Sequence, residues 1–302
     1  MQRAKAGAAV QLIMVPHRVG DVSVRQVIEQ RGPSFAPEFL FPDWDPVALE
    51  QNRKLIVPDC FDEREGCFIS SIHTWVVRTR HHTILIDSCA GSHKNRPSLP
   101  RFHQLDLPFL QKLGDAGVSP EAVDYVMCTH LHVDHCGWNT RLLDGRWVPT
   151  FPNARYVFSR TEYEHWQTSA GKEGVNAGVY EDSVLPVVES GLMELVDGEG
   201  MAGADLLFKP TPGHTAGHVA IALQSGEEQA IFSGDVMHQP LQIFRPEWNS
   251  AFCEDSALAR TSRRWLLEHA AETRSTVFTG HFAASSAGCV TRRGDQFDWR
   301  FV

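Results

Sequence analysis

The chain has 302 residues, of which 42% are hydrophobic and 22% are charged, a balance typical of a soluble globular protein. Its formal net charge of −9 disfavours a nucleic-acid-binding surface, which usually carries a basic excess. No stretch approaches the roughly 18 consecutive apolar residues of a membrane span, so neither a nucleic-acid partner nor a membrane partner is predicted.

The first 16 residues predict a ragged first strand rather than a secretory signal, because Gln11 interrupts the apolar stretch and no small-residue cleavage site follows it. The seven cysteines are an odd number without C-x-x-C spacing. Reduced, mostly buried thiols are therefore favoured over a disulfide between Cys60 and Cys67. Together these features predict a cytoplasmic protein.

Residues 17–66 are expected to be the least regular part of the chain. Within them, 31–44 is rich in Pro and aromatic residues, and Pro removes a backbone donor and fixes φ, so neither regular strand nor helix is expected there. We interpret this stretch as an ordered arm that packs either over its own domain, at a pocket rim, or on a second subunit in a homodimer. No internal repeat or long polar linker is present, so residues 1–302 are predicted to form a single domain.

From residue 68 onwards, the hydrophobic pattern predicts short strands and amphipathic helices. The predicted strands are 68–79, 83–87, 123–128, 155–159, 220–223, 229–233 and 275–279. The predicted helices are 105–116, 160–168 and 255–271. Several hairpins precede helices, so we expect packed sheets with helices outside them rather than a plain βαβ alternation.

The run from Thr129 to Gly137 has the form H-x-H-x-D-H and begins directly after a predicted strand. Imidazole and carboxylate ligands together suit zinc, with iron or manganese as weaker alternatives. The chain contains 15 histidines, yet three His and one Asp at this spacing arise by chance in roughly one such chain in several hundred. The motif therefore predicts a metal site.

Three later segments, 209–215, 231–235 and 277–281, each place a His or Asp beside Gly at the end of an apolar run or in a loop stiffened by Pro. Gly permits close backbone approach, and metal ligands must converge on fixed positions. With the first motif, these segments supply seven candidate ligands: His130, His132, Asp134, His135, His214, Asp235 and His281. Seven are too many for one tetrahedral zinc ion and enough for two metal ions that share a bridging carboxylate.

The order THLHVDH, PGHT, SGD and TGH resembles the metallo-β-lactamase superfamily, with markers that extend from residue 87 to residue 281. The resemblance implies an α/β (α+β) fold: a four-layer αβ/βα sandwich in which two mixed β-sheets lie face to face, flanked by helices. It also implies a metal site at one edge of the sandwich, where the loops after the strands meet.

Carried over position by position, the resemblance assigns the ligands to two zinc ions. It implies that His130, His132 and His214 hold the first metal, that Asp134, His135 and His281 hold the second, and that Asp235 bridges both. Asp87 matches the family's strand-end aspartate, which orients a ligand imidazole; on sequence alone, a turn residue is an equally good interpretation.

This metal set predicts hydrolysis by a hydroxide that bridges two zinc ions, since the metals lower the pKa of water towards neutrality. Asp134 and His238 are the predicted catalytic residues. Asp134 would anchor the second metal and pass a proton to the departing oxygen. His238 either hydrogen-bonds the substrate or a residue that contacts the metals, or is simply a buried, hydrogen-bonded histidine.

The ligand set and residues 234–240 resemble most the lactonase and methyl-parathion-hydrolase-like branch, so the predicted reaction is opening of a small-molecule lactone or cleavage of an ester. The alternatives are a phosphoester or phosphotriester hydrolase with the same metals, and a non-catalytic metal-binding interaction module. Trp138 and Phe282 are candidate pocket walls, with core packing as the alternative. Cys136 is interpreted as a small packing residue.

Overall fold

The structure is a computed structural model that describes residues 16–168, 174–203 and 206–302. The strand predicted in residues 1–16 lies, apart from Pro16, outside the described residues.

The described residues form two large sheets and one separate hairpin. The first ten strands are β1 (His17–Val19), β2 (Val22–Pro33), β3 (Phe61–Asp62), β4 (Cys67–Arg78), β5 (Thr83–Ile86), β6 (Tyr125–Met127), β7 (Thr140–Leu143), β8 (Arg146–Pro149), β9 (Arg155–Ser159) and β10 (Met193–Val196). The others are β11 (Gly200–Ala202), β12 (Leu206–Pro210), β13 (Val219–Ser225), β14 (Glu228–Phe232), β15 (Thr276–Phe278), β16 (Ala287–Arg293) and β17 (Gln296–Phe301).

Both large sheets are mixed. The first has the order β1-β2-β4-β5-β6-β9-β10, with β3 paired to β4, and the second runs from β11 to β17 in sequence order. Parallel pairs link β5, β6, β9 and β10 in the first sheet and β14 with β15 in the second, and the remaining pairs in both sheets are antiparallel. Parallel strands end at the same edge, so the loops after them meet there.

The α-helices connect these strands and cover the sheets. They are α1 (Pro37–Leu40), α2 (Pro46–Gln51), α3 (Arg53–Ile56), α4 (Phe109–Asp115), α5 (Arg160–Gln167), α6 (Leu185–Glu189), α7 (Leu241–Phe244) and α8 (Ser256–Thr273). The N-terminus of α8 is capped by Asp255, whose side chain accepts from the amides of Ala257 and Leu258. Among the described residues, no helix has the length and apolar character that a bilayer crossing requires.

Alternation of side chains along the strands creates separate cores on the two faces of each sheet. In β5, Ile84 and Ile86 join the cluster between the sheets, whereas Leu85 faces the cluster that contains α4 and α5. In β15, Phe278 lies between the sheets and Val277 packs with α8. The order of layers is therefore helix, sheet, sheet, helix, which confirms the predicted four-layer αβ/βα sandwich.

Most predicted elements are present within a few residues of their predicted bounds. The strand 155–159 coincides with β9, and the helix predicted at 255–271 is α8. The helix predicted at 105–116 is shorter, because α4 begins only at Phe109. The seven cysteines are all free, in agreement with the predicted reduced thiols.

The prediction that residues 17–66 are irregular is wrong for their first part. Residues 22–33 form β2, a 12-residue strand, and its pairing with β4 shifts register between Ile28 and Gln30. The prolines do not prevent regular structure here, because Pro33 is the last residue of β2 and Pro37 is the first residue of α1, positions that need no backbone N–H donor. The rest of the stretch forms short helices around an aromatic cluster that contains Phe41 and Phe68.

Candidate metal centre

Loops that follow strands bring the seven predicted ligands together at one edge of the two sheets. The loop after β6 carries His130, His132, Asp134 and His135; the loop from β12 to β13 carries His214; and Asp235 and His281 follow β14 and β15. All are buried except Asp134, which is half-buried. Burial of so many polar groups is costly unless each has a partner.

The first donor set consists of three imidazoles. His130 Nε2 lies 3.1 Å from His132 Nδ1, which in turn lies 2.9 Å from His214 Nε2. The Thr129 hydroxyl donates to the Asp87 carboxylate and so accepts from His130 Nδ1 at 3.1 Å. His130 Nδ1 therefore carries the proton, and its Nε2 offers a lone pair to the set. These three nitrogens lie close enough together to hold one metal ion.

The second donor set consists of Asp134, His135 and His281. His135 Nδ1 donates to Asp87 Oδ2 at 2.8 Å, and His281 Nδ1 donates to the Ser71 carbonyl at 3.1 Å. When both imidazoles are neutral, their Nε2 atoms carry lone pairs that face each other at 3.2 Å. Two facing lone pairs repel unless a cation lies beside both, so this arrangement fits a metal ion.

The carboxylate of Asp235 lies between the two sets. Its Oδ2 is 3.0 Å from His281 Nε2 and 3.4 Å from His214 Nε2, so it approaches one ligand of each set. Its Oδ1 is 3.3 Å from His135 Nε2 and accepts no hydrogen bond from the part of the chain that the structure describes. A carboxylate in this position suits a bridge between two metal ions.

The charge state of the site also suits cations. Burial lowers the pKa of His130 and His214, and it lowers that of His132 to about 4, so these imidazoles are neutral ligands near pH 7. Burial acts in the same direction on His135, but the carboxylates around it, of which Asp235 acts most strongly, raise its pKa above the ordinary value. The carboxylates on this side of the site therefore favour positive charge, which a bound metal ion would also supply.

The Metallo-beta-lactamase superfamily matches residues 69–281, which is more than half of the chain. The chain belongs to this superfamily. Solved structures show the same fold: the beta-lactamase-superfamily hydrolase AbOPH has a TM-score of 0.79 at 24% identity, with 95% of this chain and 96% of that chain covered. AidC, a dizinc quorum-quenching lactonase in complex with a product, has a TM-score of 0.76 at 20% identity over the same shares of the two chains.

Curated relatives match a shorter stretch. An N-acyl homoserine lactonase of Bacillus cereus is 28% identical over 173 residues, which are 57% of this chain and 61% of that protein. A second N-acyl homoserine lactonase, from a Bacillus species, is 29% identical over the same shares. The chain thus spans less than two thirds of the length of these relatives.

Asp87 occupies the position predicted from the superfamily resemblance. It has a left-handed backbone, with φ of 58°, directly after β5. In this conformation its carboxylate accepts from the Thr129 amide at 2.8 Å and from His135 Nδ1 at 2.8 Å. Asp87 thereby fixes the first residue of the ligand loop and the orientation of one ligand, and it is not merely a turn residue.

Glu162 was not identified from the sequence, although it connects two ligand loops. It is 1% exposed, and its Oε1 accepts from the Leu131 amide at 2.9 Å. Its Oε2 accepts from the Thr215 hydroxyl at 2.7 Å and from the Gly217 amide at 3.0 Å. Because Leu131 lies between His130 and His132 and Thr215 follows His214, one carboxylate ties all three residues of the first donor set.

Two further buried histidines hold the ligand loops. His218 Nε2 accepts a hydrogen bond from the backbone amide of Asp235 at 3.0 Å. The preceding residue, Gly234, has to be glycine, because a Cβ at that position would lie 2.6 Å from His218 Nε2. His73 Nε2 lies 3.0 Å from the Thr279 carbonyl, two residues before His281. Burial lowers the pKa of His73 and His218 to about 3, so both are neutral. In the sequence, the position of His218 four residues after His214 is the one feature that could have indicated its role.

A cavity opens beside the ligands. Its lining includes both donor sets through His132, Asp134, His214, Asp235 and His281. Most of the other lining side chains are apolar, and among them are Phe35, Leu40, Ile72, Phe102 and Phe252. Phe35 and Leu40 belong to the predicted arm, so the arm packs over its own domain at the pocket rim. Metal ligands beside an apolar cavity are typical of a site for a small organic molecule.

The remaining predicted site residues divide into two groups. His238 lines the cavity, and its Nε2 is 3.3 Å from Asp235 Oδ2, so it contacts the carboxylate that lies between the two donor sets. The prediction that Trp138 and Phe282 wall the pocket is wrong: neither lines the cavity, and each belongs to a hydrophobic core. Trp138 stacks on Phe109 and donates to Glu29, which leaves it no face towards the site. Cys136 is fully buried and packs in the core, as predicted.

Proposed function

We propose that this chain hydrolyses a lactone or carboxylic ester of a small organic molecule with the aid of two zinc ions. The observation that carries the proposal is Asp235, whose carboxylate contacts both a three-histidine set and a set of one Asp and two His beside an apolar cavity. His130, His132 and His214 would hold one ion, Asp134, His135 and His281 the other, and Asp235 both. Zinc ions held there supply Lewis acidity, which polarises a scissile carbonyl and activates water.

The chain's own residues suit this reaction. Asp134 is the ligand with a carboxylate open to the cavity, since its side chain is 16% exposed. A carboxylate in that place can hold a proton and deliver it to the alkoxide oxygen that leaves. Burial lowers the pKa of His238, so it is neutral, and its Nε2 lies 3.3 Å from Asp235 Oδ2, beside that carboxylate.

The apolar walls favour a carbonyl substrate with a hydrocarbon part. Phe35, Ile72 and Phe252 offer this part an apolar surface in the same cavity that the ligands line. The Bacillus relatives are named as N-acyl homoserine lactonases, and AidC as a dizinc lactonase. These names support the choice of lactone over phosphotriester.

The test is a substrate panel with the zinc-loaded protein. The panel compares γ-lactones, aryl esters, an aryl phosphotriester and nitrocefin, and we expect the highest kcat/KM on a lactone or an ester. Turnover of the phosphotriester alone would favour the alternative hydrolase. A protein that holds fewer than two metals per chain and hydrolyses nothing would instead be the interaction module.

Matched variants connect the activity to the site. His214→Ala and Asp134→Asn should each lower metal content and abolish most activity. His81→Ala, which removes an exposed histidine far from any ligand loop in sequence, should change neither. Activity that survives both ligand substitutions would refute the proposal.

A further inference from the structure

Among the described residues, one cation lines the cavity without a counter-charge of its own. It is Arg101, the only Lys or Arg side chain in the described part of the cavity wall. Arg101 lies in the short turn Pro100–Phe102, and its guanidinium carbon is 5.7 Å from the centre of the Phe102 ring. The residue is half-buried, so it keeps surface that a molecule in the cavity can reach.

The two buried arginines of the described residues show how this chain treats a covered guanidinium. Arg96 donates two hydrogen bonds to the Asp182 carboxylate, at 2.7 and 2.8 Å. Arg263 donates to the backbone carbonyls of Val236 and Pro246. Arg101 differs from both, because no hydrogen bond or ion pair joins its side chain to the part of the chain that the structure describes. Its donors are therefore available to a ligand.

Among the described residues, the carboxylate that acts on Arg101 belongs to a predicted metal ligand. Burial lowers the pKa of Arg101, and the charge of Asp134 opposes that shift. The two side chains form no ion pair, and the Asp134 carboxylate lies 3.8 Å from His135 Nε2 and 3.7 Å from His281 Nε2 instead. A metal ion held by Asp134 would balance its charge. A covered cation without a counter-charge is costly, so Arg101 points to an anionic ligand.

The charge of the cavity wall favours a carboxylate over a phosphate. A guanidinium presents parallel N–H donors that match the two oxygens of a carboxylate. No second Lys or Arg lines the described part of the cavity, and His214 and His238 are neutral because burial lowers their pKa. One positive charge balances one carboxylate, whereas a phosphate monoester carries about 1.5 to 2 negative charges at neutral pH.

We propose that Arg101 binds a carboxylate that the substrate carries in addition to its lactone or ester group. The guanidinium donates to both carboxylate oxygens, and the hydrocarbon between the two groups packs on the apolar wall. The substrate class is therefore a half-ester of a dicarboxylic acid or a lactone with a carboxylate side chain. This inference rests on the proposed hydrolase function, which defines the bond that is cleaved.

The kinetic test compares the mono(4-nitrophenyl) esters of adipate, pimelate and suberate with neutral counterparts in which a carboxamide replaces the free carboxylate. With the zinc-loaded protein, kcat/KM should favour the carboxylate by about tenfold or more at one or more chain lengths, because a hydrogen bond to a charged group is lost in the carboxamide. Equal or better use of the carboxamide at all three lengths would overturn the inference. Better use of the corresponding phosphonate would assign Arg101 to a phosphate-like anion and overturn the carboxylate assignment.

A binding measurement separates this inference from the proposed function. The three dicarboxylates and their half-amides have no ester bond to hydrolyse, and each offers the metal site one carboxylate, so their affinity ratio reports on the second end alone. Calorimetry with the zinc-loaded protein should favour the dicarboxylate by about tenfold or more. If no lactone or ester is hydrolysed, the proposed function fails, while this ratio still decides the inference. Equal affinities for dicarboxylate and half-amide at every length would refute it.

Substitutions assign the preference to the guanidinium. In Arg101→Gln, the ratio between carboxylate and carboxamide ligands should fall towards one in both measurements. Arg101→Lys keeps the charge but not the paired donors and should keep part of the preference. Arg146→Gln removes an exposed arginine from β8 and should keep the wild-type ratio. If Arg101→Gln lowers the use of both ligands equally, so that the ratio stays at the wild-type value, Arg101 only supports the fold and the proposed contact is excluded.

Discussion

The carboxylate of Glu162 accepts a hydrogen bond from the Thr215 hydroxyl at 2.7 Å, and this contact joins two loops that are distant in sequence. The other oxygen of the same carboxylate accepts from the amide of Leu131. Burial raises the pKa of Glu162, and the donated hydrogen bonds oppose that shift. The geometry of the three-histidine set therefore depends on a residue that contacts none of the predicted metal positions.

Glu162→Gln should weaken zinc binding by about tenfold or more, since substitution of groups that orient ligands typically costs 10–100-fold in metal affinity. The amide of Gln turns one acceptor into a donor that faces Leu131 or Thr215. Competition with a chromophoric chelator measures the effect. Glu164→Gln, at an exposed position of α5, is the matched control. If zinc affinity is unchanged and only the stability of the metal-free protein falls, Glu162 stabilises the fold but does not orient the metal ligands, and the prediction is wrong.

Asp87→Asn should weaken mainly the ion held by His135. The charged acceptor of His135 Nδ1 becomes neutral, while the left-handed backbone tolerates Asn well. We expect the second zinc equivalent to bind about 10- to 100-fold more weakly in a stepwise titration. Asp144→Asn has a comparable positive φ at an exposed position and controls for the backbone. Loss of both equivalents in equal measure would contradict this assignment.

The buried Glu29 predicts a pH-dependent stability. Burial raises its pKa from 4.5 to about 7, although the amides of Ala90 and Gly91 donate to it. The folded chain keeps this proton to higher pH than the unfolded chain, so the contribution of Glu29 to the unfolding free energy falls as pH rises through that interval. The loss amounts to about 3 kcal/mol at most.

Denaturant unfolding of the metal-free protein between pH 4.5 and pH 7.5 measures this effect. Glu29→Gln should flatten the profile relative to the wild type, whereas Glu228→Gln, at an exposed strand end, should not. Parallel profiles for the wild type and Glu29→Gln would show that the carboxylate stays ionised throughout.

Core and pocket aromatics should respond differently to truncation. Phe282 is fully buried and packs against Trp299 with ring centroids 5.5 Å apart, so Phe282→Leu should destabilise the fold by about 1–2 kcal/mol. Phe35→Leu, at the cavity, should raise KM with a smaller change in stability. Unfolding curves and steady-state kinetics of the two variants provide the comparison. If Phe282→Leu raises KM without loss of stability, Phe282 contacts the substrate and its assignment to the core is wrong.

Removal of metal should destabilise the chain. Zinc that binds only the folded state adds about 4 kcal/mol when its concentration is 1,000 times Kd. Thermal unfolding with and without a chelator, followed by zinc replacement, tests this prediction. An unchanged Tm would show that the cluster holds no ion under those conditions.

The sequence predicted best the elements with a regular apolar pattern and the ligands that are grouped in one short motif. The strand at 155–159 and the helix of α8 have simple apolar periods, so local pattern was enough. β2 was missed because the buried Glu29 interrupts its apolar pattern, and this residue lies at the register shift between Ile28 and Gln30. β16 and β17 were missed because their hairpin is rich in charge.

The sequence by itself determined the ligand chemistry of this protein, because donor type and spacing in H-x-H-x-D-H, and Gly beside His214, Asp235 and His281, are local properties of the chain. Only the tertiary structure decided which side chains orient those ligands and which line the cavity. Glu162 carries no local signature, since its role comes from partners far along the chain. Phe282 directly follows His281 and Trp138 lies three residues after His135, yet both side chains pack into the hydrophobic cores.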